Sequence, residues 1–301
     1  MKRRNSWLEN CGSLLLIIVM WTAVPADAAP LNVLATTGMI ADVAANVGGD
    51  LVSMTALMGP GVDPHLYQAT AGDVGRMRKA DIILYNGLHL EAGIQKVLEK
   101  MDEKAVAVTD DIPREKLLPW ENTYDPHVWM DPSLWKIVVG TIRDILSARD
   151  PEHADTYRQQ AAAYLEQLED LNAHVSAQIA SIPEARRTLI TAHDAFNYFS
   201  QAYDIEVRAL MGISTETEAG TKDVQDLAAF IAETRVKAMF IESSVPEKYV
   251  KAVQKAVEQK GFDVQIGGEL FSDAMGEEGT PEGTYIGMIT HNADTIARAL
   301  K

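Results

Sequence analysis

Seven histidines are the residues of this 301-residue chain best suited to chemistry, and their surroundings sort them. His65 and His127 share one tetrapeptide frame, Asp-Pro-His followed by an aliphatic residue: Asp63-Pro64-His65-Leu66 and Asp125-Pro126-His127-Val128. Proline stiffens the backbone just ahead of each imidazole and lowers the entropy of presenting it. The preceding aspartate can accept the other ring N–H or turn the loop through its backbone. His193 follows an apolar run, Thr188–Thr191, and leads into a helical pattern, while Asp273 follows another run at 264–266. The carboxyl ends of strands are where open α/β sheets place ligands. Three imidazoles and one carboxylate from four separate loops would close a site for a divalent cation. Imidazole suits zinc and also serves manganese, and the carboxylate adds hardness and neutralises charge. The plain alternative is four unrelated loop residues, with His193 a satisfied histidine at a helix start.

Two further residues compete for a place in that set. His89, in Asn86-Gly87-Leu88-His89-Leu90-Glu91, also sits at a strand end and is the rival nitrogen ligand; a structural role is favoured for it. Glu242, in Phe240-Ile241-Glu242-Ser243-Ser244, fits best as an acceptor behind a ligand, with direct ligation or a helix-dipole partner as the other readings. His153 and His174 fall in a long helical pattern and His291 near a terminal one, so solvated surface positions are expected. No Walker A sequence and no His-Glu-x-x-His helix is present.

The elements that must position these residues are legible as strand–helix alternation. Apolar runs at Leu31–Ala35, 51–58, 80–85 and 106–108, with a helical stretch at 39–47, predict a first half. Runs at Thr188–Thr191, 206–210, 238–241 and 264–266 repeat the rhythm. Such alternation predicts an α/β fold with parallel sheets, and short non-alternating apolar strands predict cover on both faces. Between the halves Asp150 offers a cap and Pro151 a first turn for a long helix. Its apolar residues recur every three or four positions, at Tyr157, Ala161, Tyr164, Leu165, Leu168, Leu171, Val175 and Ile179, and Pro183 ends it. The expected organisation is a lobe at 29–150, a backbone helix at 151–183 and a lobe at 184–301, held stiffly rather than as a wide clamshell. The longest irregular stretch is 110–129, with Pro113, Pro119 and Pro126.

Composition narrows the partners. The chain carries 27 Lys and Arg against 43 Asp and Glu, a formal charge of −16, which gives no footprint for nucleic acid and attracts small cations. Residues 1–28 fit a cleavable export signal: Lys2, Arg3 and Arg4, a short apolar core at 13–24, then Ala26-Asp27-Ala28. The lone Cys11 precedes that core, where a lipid-attachment cysteine would follow it, so a lipoprotein is not expected. Cleavage would remove three basic and two acidic residues, leaving 24 against 41, or −17, and no cysteine. That suits an oxidising compartment such as the periplasm.

Six segments together resemble the metal-binding receptors of bacterial ABC importers for zinc and manganese, in their TroA-like branch. They are MGPGVDPHLYQATAGDVG (58–75), LYNGLHLE (84–91), DPHVW (125–129), TAHDAFNYF (191–199), FIESS (240–244) and GGELFSDAMG (267–276). The resemblance spans essentially the whole chain after residue 28. It implies two α/β lobes joined by one backbone helix, with a metal ion in the cleft between them. The family's two first-lobe histidines fall on His65 and His127, its third ligand on His193 and its carboxylate on Asp273, and none falls on His89. It further implies one Zn²⁺ or Mn²⁺ per chain as transported ligand, a monomeric receptor, and a membrane permease with its ATPase as partner. The His-rich loop of dedicated zinc receptors is absent, and manganese-type members often carry Glu where His193 stands, so both metals stay open. Three nitrogens and the Irving–Williams order lean toward zinc. Imidazole protonation predicts that affinity falls below about pH 6. A zinc hydrolase using the same residues is the alternative, with Glu242 as its sole base candidate, but four protein ligands leave a tetrahedral ion no open position. A surface adhesin with an incidental metal is a third reading, set back by the absence of a lipid anchor.

Overall fold

Residues 29–301 are described by the computed structural model of the chain. The expected export segment, with Cys11 and Ala26-Asp27-Ala28, lies outside the described residues. Among these residues no helix is long and apolar enough to cross a membrane.

The first half builds a parallel sheet from β1 (Leu31–Ala35), β2 (Val52–Ala56), β3 (Ile82–Tyr85) and β4 (Ala105–Ala107), in the order β2-β1-β3-β4. Helices α1 (Gly38–Gly48), α2 (Ala71–Lys79) and the single turn α3 (Gln95–Leu98) connect them. Both faces are covered, as short apolar strands require. Val33, Ala35, Ile82 and Leu84 point into the main core, and Leu34 and Ile83, one residue out of phase, point into a smaller one.

The second half repeats the plan. Strand β7 (Thr188–Thr191) pairs in parallel with β8 (Glu206–Ala209), β9 (Ala238–Glu242) pairs in parallel with β10 (Gln265–Leu270), and β7 lies against β9. Its helices are α6 (Asn197–Tyr203), α7 (Thr221–Thr234), α8 (Lys248–Gln259) and α9 (Tyr285–Leu300). Leu189, Ala238 and Phe240 join the main core, while Ile190 and Met239 join a second one under α7 and α8.

Between the halves a hairpin of β5 (Pro119–Trp120) and β6 (Thr123–Tyr124) and a turn at Val128–Met130 lead into α4 (Pro132–Arg149) and α5 (Ala154–Ala180). The expected helix at 151–183 is therefore a 3₁₀ turn at Pro151–His153 followed by 27 residues of α5, about 40 Å of helix. Its buried stripe is the expected one, Tyr157, Ala161, Tyr164, Leu168, Leu171, Val175 and Ile179, with Leu165 half-buried at the margin. Asp150 stands at the N-cap and its carbonyl accepts from His153 N at 3.2 Å, but its carboxylate caps no backbone N–H; it accepts instead from His153 Nδ1 and Tyr157 Oη, both at 2.7 Å. Nor does α5 stand alone. Helix α4, opened by Asp131 accepting from Ser133 N at 2.7 Å and by Pro132, packs along it together with α1 and α9. Trp135 of α4 stacks on Tyr285 of α9, with centroids 5.4 Å apart. The main core runs through this helical layer from one sheet to the other.

Candidate metal centre

Four loops converge on one buried point. His65 stands on the segment after β2, His193 two residues past β7, Asp273 three past β10, and His127 just ahead of the turn at Val128–Met130. Their ligand atoms all lie within 4.8 Å of one another, and each residue is at most 2% exposed. His65 Nε2 is 3.3 Å from His127 Nε2, and His127 Nε2 is 3.4 Å from Asp273 Oδ1. Asp273 Oδ2 is 3.1 Å from His193 Nε2 and 3.7 Å from His65 Nε2. Donors held at about 2.0–2.1 Å from one tetrahedral ion would stand about 3.3–3.4 Å apart, so the spacing fits a single metal centre. His193 Nε2 and both oxygens of Asp273 are buried without any hydrogen-bond partner. Polar atoms that face a common point rather than one another are costly unless something occupies that point.

Two of the four donors are oriented from behind. Asp125 Oδ1 accepts from His127 Nδ1 at 2.7 Å and from the His127 backbone N–H at 3.0 Å. Glu242 Oε2 takes His193 Nδ1 at 2.6 Å, and its Oε1 takes the backbone N–H groups of Ala192 and His193 at 2.6 and 3.0 Å. A hydrogen bond at Nδ1 leaves Nε2 free to face the centre, the usual arrangement behind a metal-bound imidazole. The matching Asp63 behaves differently. Its Oδ1 turns the loop by accepting from His65 N at 2.9 Å, and its Oδ2 accepts from Thr215 Oγ1 at 2.6 Å.

The charges follow from burial and neighbours. Burial holds the His65 imidazolium down to about 3. Burial also opposes charge on His127, but Asp125 and Asp273 outweigh it and push that ring up to about 9. Asp273 and Glu242 likewise outweigh burial and raise His193, and His193 and His127 hold the Asp273 carboxyl below its ordinary range despite its burial.

The remaining candidates separate cleanly. His89 is exposed, at a backbone φ of 72°, and lines a cavity of about 590 Å³ that His65 also lines; it is not among the four. His153, His174 and His291 lie at the surface, but each is paired, with Asp150, Asp294 and Glu282. Sequence reasoning missed Glu91, which is 4% exposed and takes Thr36 Oγ1 and Asn86 N at 2.7 Å and Gly87 N at 3.1 Å. It holds the loop after β1 much as Glu242 holds the loop after β7, and each follows or ends the third strand of its half. Thr215 and Trp129 were missed as well, because their partners lie 152 and 143 residues away.

The family model described as the periplasmic zinc-uptake complex component A matches residues 33–299. The zinc-binding protein TroA of Treponema pallidum (strain Nichols) is 51% identical over 278 residues, 91% of this chain and 90% of its own. The manganese-binding lipoprotein MntA of Bacillus subtilis (strain 168) is 49% identical over 275 residues, 90% of each chain. The solved structure of the periplasmic zinc-binding TroA from Treponema pallidum superposes with a TM-score of 0.89, covering 90% of this chain and 99% of that one at 51% identity.

Proposed function

The chain belongs to the family of periplasmic zinc-uptake components, substrate-binding receptors of metal ABC importers, and from that premise we propose that it captures one Zn²⁺ or Mn²⁺ through His65, His127, His193 and Asp273. The observation that carries the ligand set is the buried convergence of three Nε2 atoms on a carboxylate that nothing else satisfies. The lobes are 29–150 and 184–301, either side of the connecting segment 151–183 that holds α5, and the ion lies in the cleft between them. Loops from both halves then share one ion, so losing any donor weakens the tie between them.

The loaded receptor docks, as a monomer, on a membrane permease whose ATPase supplies the energy. Export by a cleavable leader at 1–28 without a lipid anchor fits the position of Cys11, although the Bacillus subtilis relative is a lipoprotein by name. A binding role rather than catalysis is favoured because Glu242, the base candidate, has both oxygens committed to His193 and Ala192. An acidic chain without a basic stripe has no partner in nucleic acid.

The test is a competition titration of chelator-stripped residues 29–301 with Zn²⁺ and Mn²⁺, alongside Asp273→Ala. One-to-one binding that the variant sharply weakens supports the site, and the metal that wins names the cargo. Absence of binding by either ion would sink it.

A further inference from the structure

No group behind Asp273 holds its carboxylate, whose oxygens face only the other proposed donors, whereas His127 and His193 are each held from behind by a carboxylate. Its place is set by the backbone on either side. Asn292 clamps Phe271, accepting from its N–H at 2.9 Å and donating to its carbonyl at 2.7 Å. Ser243 Oγ donates to Ala274 O at 3.2 Å, and the hydroxyls of Ser244 and Ser272 meet at 3.0 Å. All of these partners belong to the second half of the chain. Among the described residues, the hydrogen bond that ties this loop's backbone to the first half comes from the indole of Trp129, whose Nε1–H donates to Ser272 O at 2.8 Å.

Trp129 stands two residues after His127 and its ring packs edge-on against the His127 ring, centroids 5.2 Å apart. Its own carbonyl accepts from Tyr285 Oη at 2.8 Å, and the residue is 1% exposed. A rigid bicycle fixed at its backbone and at its N–H therefore spans from the loop of one donor to the loop of another. Local ties decide the shape of the Asp273 loop; the indole decides where that loop sits relative to His127 and His65.

We propose that Trp129 is a positioning residue for metal capture, holding the Asp273 carboxylate at ligating distance from the first-half histidines through its hydrogen bond to Ser272. The inference rests on the proposed ligand set. Partners behind a metal ligand are typically worth 10–100-fold in affinity, and a fixed donor is felt mainly in dissociation.

The experiment measures Zn²⁺ affinity and release to excess chelator for residues 29–301 as wild type, Trp129→Phe, Asp273→Ala and the double variant. Trp129→Phe is expected to weaken binding about tenfold or more through faster release, with association unchanged. In the Asp273→Ala background the same substitution is expected to change little, because the group it acts through is gone. Equal affinity and release for wild type and Trp129→Phe would overturn the inference, as would a loss of the same size in both backgrounds, which marks a general packing effect. Should Trp129→Phe fail to fold, 3-benzothienylalanine at position 129 keeps the bicyclic shape without the N–H and answers the same question. Failure of the wild type itself to bind would sink the proposed function, and this inference with it.

Discussion

At the scale of single residues, one repeated tetrapeptide does two jobs. Asp125 holds both the ring and the backbone of His127, whereas Asp63 holds only the backbone of His65 and spends its other oxygen on Thr215. Asp125→Asn should therefore weaken Zn²⁺ binding about 10–100-fold, and Asp63→Asn by clearly less, in parallel titrations; equal losses would contradict the assignment. The pH response also shifts from the expectation of a fall below about pH 6. His127 is pushed up to about 9, so at neutral pH the incoming ion competes with a proton already on that ring. Lower pH favours the protonated ring, so affinity should climb steadily between about pH 6 and 8.5, with protons released on binding. An indicator-dye measurement showing no proton release at pH 7 would rule this out.

Among the elements, α2 fixes the far end of the His65 segment. Thr70 Oγ1 accepts from Asp73 N at 3.2 Å while Asp73 Oδ2 accepts from Thr70 N at 2.7 Å and Tyr67 Oη at 2.8 Å, a capping box extended into the loop. Arg76 beside it, with backbone and hydroxyl donors, holds the Asp73 carboxyl well below its ordinary 3.8 despite burial. A depressed carboxylate stabilises the fold above its unfolded value and loses that contribution as pH falls through the folded one. Asp73→Ala should cost about 1–2 kcal/mol at pH 7, with the gap to wild type closing below about pH 3.8, as read by urea midpoints. A gap that stays constant across that range would assign the cost to packing. Helix α4, unread in the sequence, carried the same kind of start signal in Asp131-Pro132, followed by buried Leu134, Trp135, Val138, Val139, Ile142 and Leu146.

For the molecule as a whole, charge and shape act together. The cavity that reaches His65 is lined by Glu121, Glu216, Glu218 and Asp223 and by no Lys or Arg, on a chain of net charge −16. Such a field draws cations and is screened within about 8–10 Å at physiological salt. Zn²⁺ association should slow several-fold as ionic strength rises from about 10 to 150 mM, and Glu216→Gln with Glu218→Gln should flatten that dependence in stopped-flow traces. A salt-independent rate would remove the field from the account.

The strands and the long amphipathic helix were legible because burial imprints a period of two or about 3.6 on nearby residues. His65, His127, His193 and Asp273 were legible as candidates too, from the repeated Asp-Pro-His frame, the apolar runs ahead of His193 and Asp273, and the family resemblance, and they do converge after folding. Periodicity says nothing of partners far along the chain. That Asp125 grips an imidazole while Asp63 grips a hydroxyl, that Glu91 and Glu242 hold equivalent loops, and that an indole spans 143 residues to Ser272 are matters of distance after folding. A hydrogen bond is decided within about 3 Å, and only the folded chain brings those atoms that close in the right orientation.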